Sequence, residues 1–298
     1  MSYKLEKQEE LKESISRIAS EEIEFCIASL KNTNLHEAVH EIRKSLKKLR
    51  ALARLFRDEL GEKKYKEINI FFRDLGQELS PIRDLTAHME TIGILQERYG
   101  DHIYVKFFNS IVQELEKERD SLEKELKEKK FFSEYILDQF TGAQEEFTEW
   151  PVKSTDLAVV LPGLKLTYER GMDALEEAYA QPDAANFHEW RKRAKYLWHQ
   201  LQLMEQLWPQ FFKTWADEVH KLADFLGDDH DLMILHEKLN SPEIQLKDEK
   251  QMEMLHALIK EYSEHLRAEA ELQGSLVYAE KPKAIKKRML KYIRTNWN

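Results

Sequence analysis

HEIRKSLKKLRALARLF at residues 40–56 and HEWRKRAKYLWHQLQLM at residues 188–204 decide the fold of this chain. The two stretches align without a gap at an offset of 148 residues, and seven of their seventeen positions are identical. A Leu-Gly pair follows each stretch, and the sequences Arg-Asp-Leu at 83–85 and His-Asp-Leu at 230–232 come shortly after it. This internal similarity predicts two copies of one structural unit.

Both stretches have the apolar spacing of an amphipathic helix. In the first stretch the apolar positions that share one helix face are Ile42, Leu46, Leu49, Leu52, Ala53 and Phe56. At about 100° per residue this face is expected to pack into a core. The 298 residues include only 9 Gly and 7 Pro, well below the roughly 12% of average usage. Sparse turn residues favour an all-α fold and argue against a β-sandwich or a glycine-fingerprint nucleotide fold.

Helical periodicity extends over most of the chain. One motif helix is predicted to begin near Asn34, with Glu37 completing a capping box, and the other near Gln181, with Pro182 at the first helical position. Further helices are predicted over 5–30, 64–79, 84–98, 102–138, 162–180, 209–226, 230–240 and 246–272.

The stretch 141–163 contains two Pro and two Gly and is the best candidate for a linker. It predicts a first helical bundle over 1–145 and a second over 146–298, which together form one domain.

Positive charge is concentrated in the two motif stretches, and the rest of the chain is acidic. The net charge of −9 would by itself argue against a polyanionic partner. However, residues 40–57 carry +6 and residues 188–199 carry +3, so the rest of the chain carries −18.

The cations of the two motif helices fall on one face of each. Positions spaced by three and four form a stripe at His40, Arg43, Lys47, Arg50 and Arg54, and again at His188, Arg191, Lys195 and His199. Lys44 and Lys192 lie beside the two stripes. A solvated helix usually intersperses acids to relieve repulsion between like charges. Since these stripes do not, we expect an anionic ligand.

The chain has two H-x-x-R-K-x-x-K motifs, and each is followed by a Leu-Gly pair and then by an Asp-Leu pair. In these motifs the chain resembles the CHAD family of histidine-containing α-helical domains. The resemblance implies two pseudo-symmetric antiparallel helical bundles with a central basic groove or pore. It also implies binding of inorganic polyphosphate without catalysis and without a cofactor. By the same resemblance Arg83 joins the site, and the segment 164–175, similar to the family's Tyr-x-Arg-Gly helix, adds Tyr168 and Arg170 as weaker candidates.

Polyphosphate suits the chemistry of the stripes, because a chain of phosphates needs many charge-assisted donors along a line. The two motif histidines would strengthen binding below about pH 6.5.

Two alternatives remain open. The Asp and His residues of 228–236 are a weak candidate metal site, although an Asp-rich helix N-terminus would explain Asp228 and Asp229. A general polyanion or nucleic-acid binder would use the same cations.

The remaining sequence features bear on location and partners. Cys26 is the single cysteine, which excludes an internal disulfide and fits a reducing compartment. Because no apolar N-terminal segment or membrane span is evident, we expect a cytoplasmic protein, with polyphosphate granules and polyphosphate-associated proteins as its surroundings. The charged run 111–130 predicts an exposed amphipathic helix that could dock a partner through Leu122 and Leu126. Residues 281–294 predict a basic terminal helix.

Overall fold

The computed structural model describes residues 3–31, 34–128, 131–242, 244 and 248–297, and for 126–128 and 131–133 the backbone alone. Within these residues the chain is 85% helical and has no strand. The all-α prediction is therefore confirmed. None of the described helices is long and apolar enough to cross a membrane.

Eleven α-helices lie within the described residues. They are α1 Leu11–Ser29, α2 Leu35–Leu55, α3 Arg57–Glu78, α4 Ser80–Tyr99, α5 Val105–Glu128, α6 Phe131–Phe147, α7 Leu161–Ala180, α8 Ala184–Leu203, α9 Pro209–Leu239, α10 Glu249–Val277 and α11 Pro282–Asn296. Short 3₁₀ turns at Leu157–Val160 and Glu205–Leu207 precede α7 and α9.

The first motif helix, α2, begins where the sequence predicts. The Asn34 side chain accepts hydrogen bonds from the backbone N–H groups of His36 at 3.1 Å and Glu37 at 3.2 Å. These bonds satisfy two donors that have no partner within the helix. The predicted apolar face, from Ile42 to Phe56, is buried. Because α2 packs against α1, α3, α4, α7 and α8, its cationic stripe also lies close to neighbouring helices.

The second motif helix, α8, begins later than predicted. Gln181 ends the preceding helix, since its N–H donates to the Glu177 carbonyl at 2.8 Å. The cap is Asp183, whose side chain accepts a hydrogen bond from the Asn186 N–H at 2.8 Å. Pro182 therefore precedes the helix and is not its first residue.

The helix α9 is continuous, so the prediction of separate helices over 209–226 and 230–240 is wrong. Gly227 lies in its interior, where a Cβ would approach the Arg191 Nε at 3.6 Å. Asp228 and Asp229 therefore do not cap a helix N-terminus. Asp229 is buried and accepts hydrogen bonds from Arg267 Nε at 3.0 and 3.1 Å and from the Ser263 hydroxyl. This partner on α10 gives the carboxylate a structural role.

Two further predictions need correction. The helix predicted over 102–138 is divided into α5 and α6, and α6 continues to Phe147, well into the predicted linker. The run 111–130 is only partly exposed, because Ile111 and Leu115 are buried and Leu122 packs against the core. The side chain of Leu126 lies outside the described residues.

The larger hydrophobic core draws on both halves of the chain, from Leu5 to Ile293. The motif helices α2 and α8 pack against each other within it. A second core joins α4 and α5 to α9 and α10. Cys26 is buried in α1 as expected. This arrangement places the two motif helices at the centre of the molecule, while the division at residue 145 stays a prediction.

Candidate anion-binding site

The helices α2 and α8 contribute most of the cations that line one open cavity of about 490 Å³. We call it the central cavity. Seven cationic residues line it, namely Arg43, Lys47, Arg50, Arg73, Arg191, Lys192 and Lys195. Asp84 is the one carboxylate among its lining residues. Positive charge therefore dominates this space, as the two stripes predict.

A second cavity of about 330 Å³ adjoins the central cavity and reaches α9, so we call it the α9 cavity. Its lining includes Arg43, Lys47, Arg191 and Lys195, which also line the central cavity. His40, Lys44 and Arg83 are added here, together with Asp224, Asp228 and Asp231, and Asp84 lines this cavity as well. The two cavities thus differ in charge, with the α9 cavity the more nearly neutral.

Lys47 lies where the two cavities meet. Within the described residues its ammonium group has no hydrogen bond or ion pair, and its partly exposed surface faces the cavities. Burial, and then the nearby charges of Arg191, Lys195, Arg43 and Arg83, hold the pKa of Lys47 well below its ordinary value. An unpaired cation at such a position is costly unless an anion joins it.

The two motif arginines lie against the glycines of the two Leu-Gly pairs. Arg43 donates to the Gly76 carbonyl and, at 2.7 Å, to the Ser80 hydroxyl. Arg191 lies against Gly227, its Nη2 is 4.0 Å from the Asp231 carboxylate, and its buried Nε has no partner in the described structure. Burial lowers the pKa of both guanidinium groups. These contacts fix the direction of both side chains and leave donors for a ligand.

Lys195 lies one helical turn beyond Arg191. Burial and the charge of Arg191 lower the pKa of Lys195 from 10.5 to about 8. Asp224, Asp231 and Asp228 partly oppose this effect. The charge of Lys195 is therefore sensitive to small changes of pH near neutrality and to any anion that binds beside it.

The motif histidines do not titrate where the sequence predicts. The rings of His188 and His230 lie 4.3 Å apart between centroids. Burial and neighbouring cations, Arg191 first among them, lower the pKa of His188 to about 4 and of His230 to about 3. The pKa of His40 is also lowered, by burial and by Arg83. In the free protein His188 and His230 are therefore neutral at pH 6.5, and acid-enhanced binding through them requires that a bound anion raise their pKa; the predicted pH dependence stays a prediction.

The sequence analysis did not place the carboxylates of the α9 cavity beside the cationic stripes, and considered Asp228 and Asp231 only as part of a candidate metal site. Asp84 and Asp231 stand beside the basic position of the Arg-Asp-Leu and His-Asp-Leu elements, and that adjacency was the available signal. Burial, and then repulsion from Asp231 and Asp224, raises the pKa of Asp228 to about 6. Its ionisation therefore changes the charge of the cavity in weak acid.

Four predicted residues lie outside both cavities, among them Tyr168, which is buried and whose hydroxyl donates to the Glu280 carbonyl at 3.0 Å. His199 is buried, with its Nδ1 3.1 Å from the Gln202 Oε1 and its ring packed edge-on against Tyr3, 5.9 Å away between centroids. Burial lowers its pKa to about 3. The second stripe thus ends at Lys195, because the N-terminal segment covers His199. Arg54 and Arg170 line a separate pocket.

The outer cations of the site have carboxylate partners. Lys44 pairs with Glu41 at 3.0 Å, Arg83 pairs with Glu90 at 2.8 Å, and Lys192 pairs with Glu189. The unpaired charge is therefore concentrated on the inner residues of α2 and α8.

The side chains of the Asp and His residues of 228–236 lie on different sides of α9. Asp228 and Asp231 face the α9 cavity, Asp229 pairs with Arg267, and His236 lies 3.0 Å from His256 between their Nδ1 atoms. Across the described part of the chain, no group of three or more His, Cys, Asp or Glu is arranged to hold a metal ion. The metal alternative gains no support from this geometry.

The fold and the cavities define an all-α protein whose two central helices present unpaired cations to a shared space. The family model of the CHAD domain matches residues 22–240. The chain belongs to the CHAD domain family, so the resemblance seen in its motifs is confirmed. No curated protein matches the chain.

Proposed function

We propose that this protein binds inorganic polyphosphate without catalysis, through the cations that α2 and α8 present to the central cavity. Family membership supports a polyphosphate ligand, and the charge of the cavity supports an extended anion. A phosphate chain carries about one charge per unit, which matches successive Lys and Arg side chains on a helix face.

The observation that carries the proposal is the state of Lys47. Four cations surround it, namely Arg43, Arg83, Arg191 and Lys195, and within the described residues its ammonium group has no hydrogen bond or ion pair. A protein of net charge −9 has many carboxylates that could have been its partner. Since a stable structure without a ligand would favour such a partner, the unpaired state indicates that a bound anion completes the site.

Two observations favour a phosphate chain over nucleic acid. Among the lining residues of the two cavities, Tyr196 and Trp198 are the large aromatic side chains beside the cations, together with Phe72. Trp198 is already packed against His199 and His220, at 4.5 and 3.9 Å between ring centroids. Single-stranded nucleic acid binds where aromatic rings are free to stack on successive bases. General polyanion binding nevertheless remains the alternative to test directly.

The test is a calorimetric titration of the protein with long-chain polyphosphate and with single-stranded DNA matched in total charge, at two salt concentrations. Both affinities will fall with salt because counterions are released. We expect polyphosphate to bind at least tenfold more tightly at equal ionic strength, a difference of about 1.4 kcal/mol. Equal affinities would support the general polyanion alternative, and no binding of either would refute the proposal.

A pair of matched variants locates the site. Lys47→Gln with Lys195→Gln removes two cations from the cavities, whereas Lys287→Gln with Arg294→Gln removes two exposed cations from α11, which lines neither cavity. We expect the first pair to abolish tight polyphosphate binding and the second, the α11 control, to lower it only slightly. Equal losses would show that the stripes are not the site.

The non-catalytic part of the proposal has its own test. We expect no release of orthophosphate when the protein is incubated with polyphosphate, with or without Mg²⁺ or Mn²⁺. A cytoplasmic location at polyphosphate granules, shared with polyphosphate-associated proteins, belongs to the same proposal. Co-localisation of the tagged protein with a polyphosphate stain would test it.

A further inference from the structure

Four arginines from different parts of the fold converge on a small pocket beside the central cavity. We call it the arginine pocket. Arg54 comes from α2, Arg57 from the start of α3, Arg170 from α7 and Arg193 from α8. Tyr65, Thr167 and Tyr196 are among its other lining residues, and no carboxylate lines it. Arg57 and Arg193 did not figure among the candidate residues of the sequence analysis, because their convergence depends on tertiary packing.

A close contact between helices builds this pocket. Gly163, in the first turn of α7, lies against the last turn of α2. A Cβ at this position would stand 2.6 Å from the Arg54 carbonyl oxygen and closer still to that of Leu55. The absence of a side chain lets α7 approach, and Arg170 is thereby brought to the same pocket as Arg54.

Two contacts fix the Arg54 side chain, but one of its hydrogen-bond donors has no acceptor. Its guanidinium carbon lies 3.9 Å from the centroid of the Tyr196 ring, and its Nη1 donates to the Arg50 carbonyl at 3.0 Å. Its Nε is buried and has no partner in the described structure. A buried donor without an acceptor is destabilising, because it has lost its hydrogen bonds to water. An anion at the pocket would remove this cost.

The other three arginines leave net positive charge at the pocket. Arg57 pairs with Glu62 at 2.8 Å, and Arg193 pairs with Glu189. Arg170 is exposed and has no ion pair within the described residues. Two guanidinium groups, those of Arg54 and Arg170, thus lack a counterion, and guanidinium donors match the oxygens of a phosphoryl group.

One aromatic ring belongs to the lining of both the pocket and the central cavity. Tyr196 lines both. Arg50 of the central cavity and Arg54 of the pocket both approach its ring, at 5.8 and 3.9 Å. From Arg43 to Arg54, α2 rises about 16 Å. A single extended anion that leaves the central cavity along α2 would therefore pass directly to the arginine pocket.

We infer that the arginine pocket is a separate subsite for one phosphoryl group of a polyphosphate chain whose preceding units occupy the central cavity. The inference rests on the proposed function. The pocket has a volume of about 10 Å³, which holds one oxygen atom, so the other oxygens of the group remain at its mouth. Occupancy of both sites by one chain raises affinity through effective concentration. Full affinity therefore requires a chain long enough to span both sites.

The experiment compares two ligands on two variants. Arg170→Gln with Arg193→Gln changes the pocket, and the α11 control removes the same charge elsewhere. Long-chain polyphosphate can span both sites, whereas tripolyphosphate is short enough to occupy the central cavity alone. We expect the pocket variant to lose about tenfold in affinity for the long chain, about 1.4 kcal/mol. Its affinity for tripolyphosphate should stay equal to that of the α11 control.

Two outcomes would overturn the inference. One is a long-chain affinity equal to that of the α11 control. The other is an equal loss for tripolyphosphate, which would make the pocket part of the central cavity. Arg170→Gln alone, at an exposed side chain, must show part of the long-chain loss, so a folding defect in the double variant leaves the test intact. If wild-type protein binds neither ligand, the proposed function itself fails and this inference fails with it.

Discussion

Binding of polyphosphate is expected to take up protons near pH 8, and Lys195 provides the reason. In the free protein burial and Arg191 lower its pKa from 10.5 to about 8, so the ammonium form is half populated at that pH. A phosphate beside it favours the charged form and returns the pKa toward its ordinary value. The complex should therefore take up about half a proton at pH 8 through Lys195 alone.

The same linkage sets the pH dependence of the affinity. Below about pH 7, Lys195 is already charged in the free protein and protonation adds nothing. Above pH 8 each binding event must first charge the lysine, so affinity should fall by up to tenfold per pH unit until about pH 10. Lys47, whose pKa is also lowered, will add to this loss.

Calorimetry in two buffers that differ in ionisation enthalpy measures the proton uptake directly. We expect the Lys195 share of the uptake to be near zero at pH 6.5, about half a proton at pH 8 and larger at pH 9, while Asp228, whose pKa is about 6, adds its own share below pH 7. Lys195→Arg serves as the control, because a guanidinium stays charged throughout and should remove the Lys195 share of the uptake. A wild-type affinity that is flat from pH 7 to pH 9.5, with no proton uptake, would refute the reasoning.

Three further predictions follow from burial and close packing. Lys47→Met should weaken polyphosphate binding. It should also raise the free energy of unfolding of the free protein by about 1 kcal/mol or more, because it removes an unpaired charge. A lower melting temperature of the variant would contradict this. Asp228→Asn should raise affinity at pH 7.5 and flatten its increase between pH 7 and pH 5, measured by titration. Gly163→Ala should cost about 1–3 kcal/mol in chemical denaturation, whereas Gly93→Ala, with open space around it, should stabilise by about 0.5–1 kcal/mol.

Local sequence was enough to identify the motif helices and their charged faces. The three- and four-residue spacing placed Arg43, Lys47, Arg191 and Lys195 on common faces, and the structure brings these four side chains to both cavities. The cap at Asn34 could also be predicted, because an Asn side chain bonds to N–H groups only two and three residues away. Such features depend on neighbours in the sequence.

The errors arise where distant residues decide the outcome. Asp229 resembled a helix N-terminus, but Arg267 on α10 holds it within a continuous helix. His199 has the spacing of the second stripe, but Tyr3 covers it. Arg54 shares the stripe of α2, yet its guanidinium group lies over the Tyr196 ring of α8 and lines the arginine pocket instead of the central cavity. In each case a partner more than 35 residues away in sequence determines what the side chain contacts.

The crowding of like charge around Lys47 bears on the choice between small and large anions. Inside a cell, chloride, free phosphate and nucleotides will each condense weakly onto such a site. A long polymer that enters displaces several of them at once, and their release into solution contributes an entropy that a single small ion cannot supply. Preference for long chains then needs no special contact at either end of the polymer.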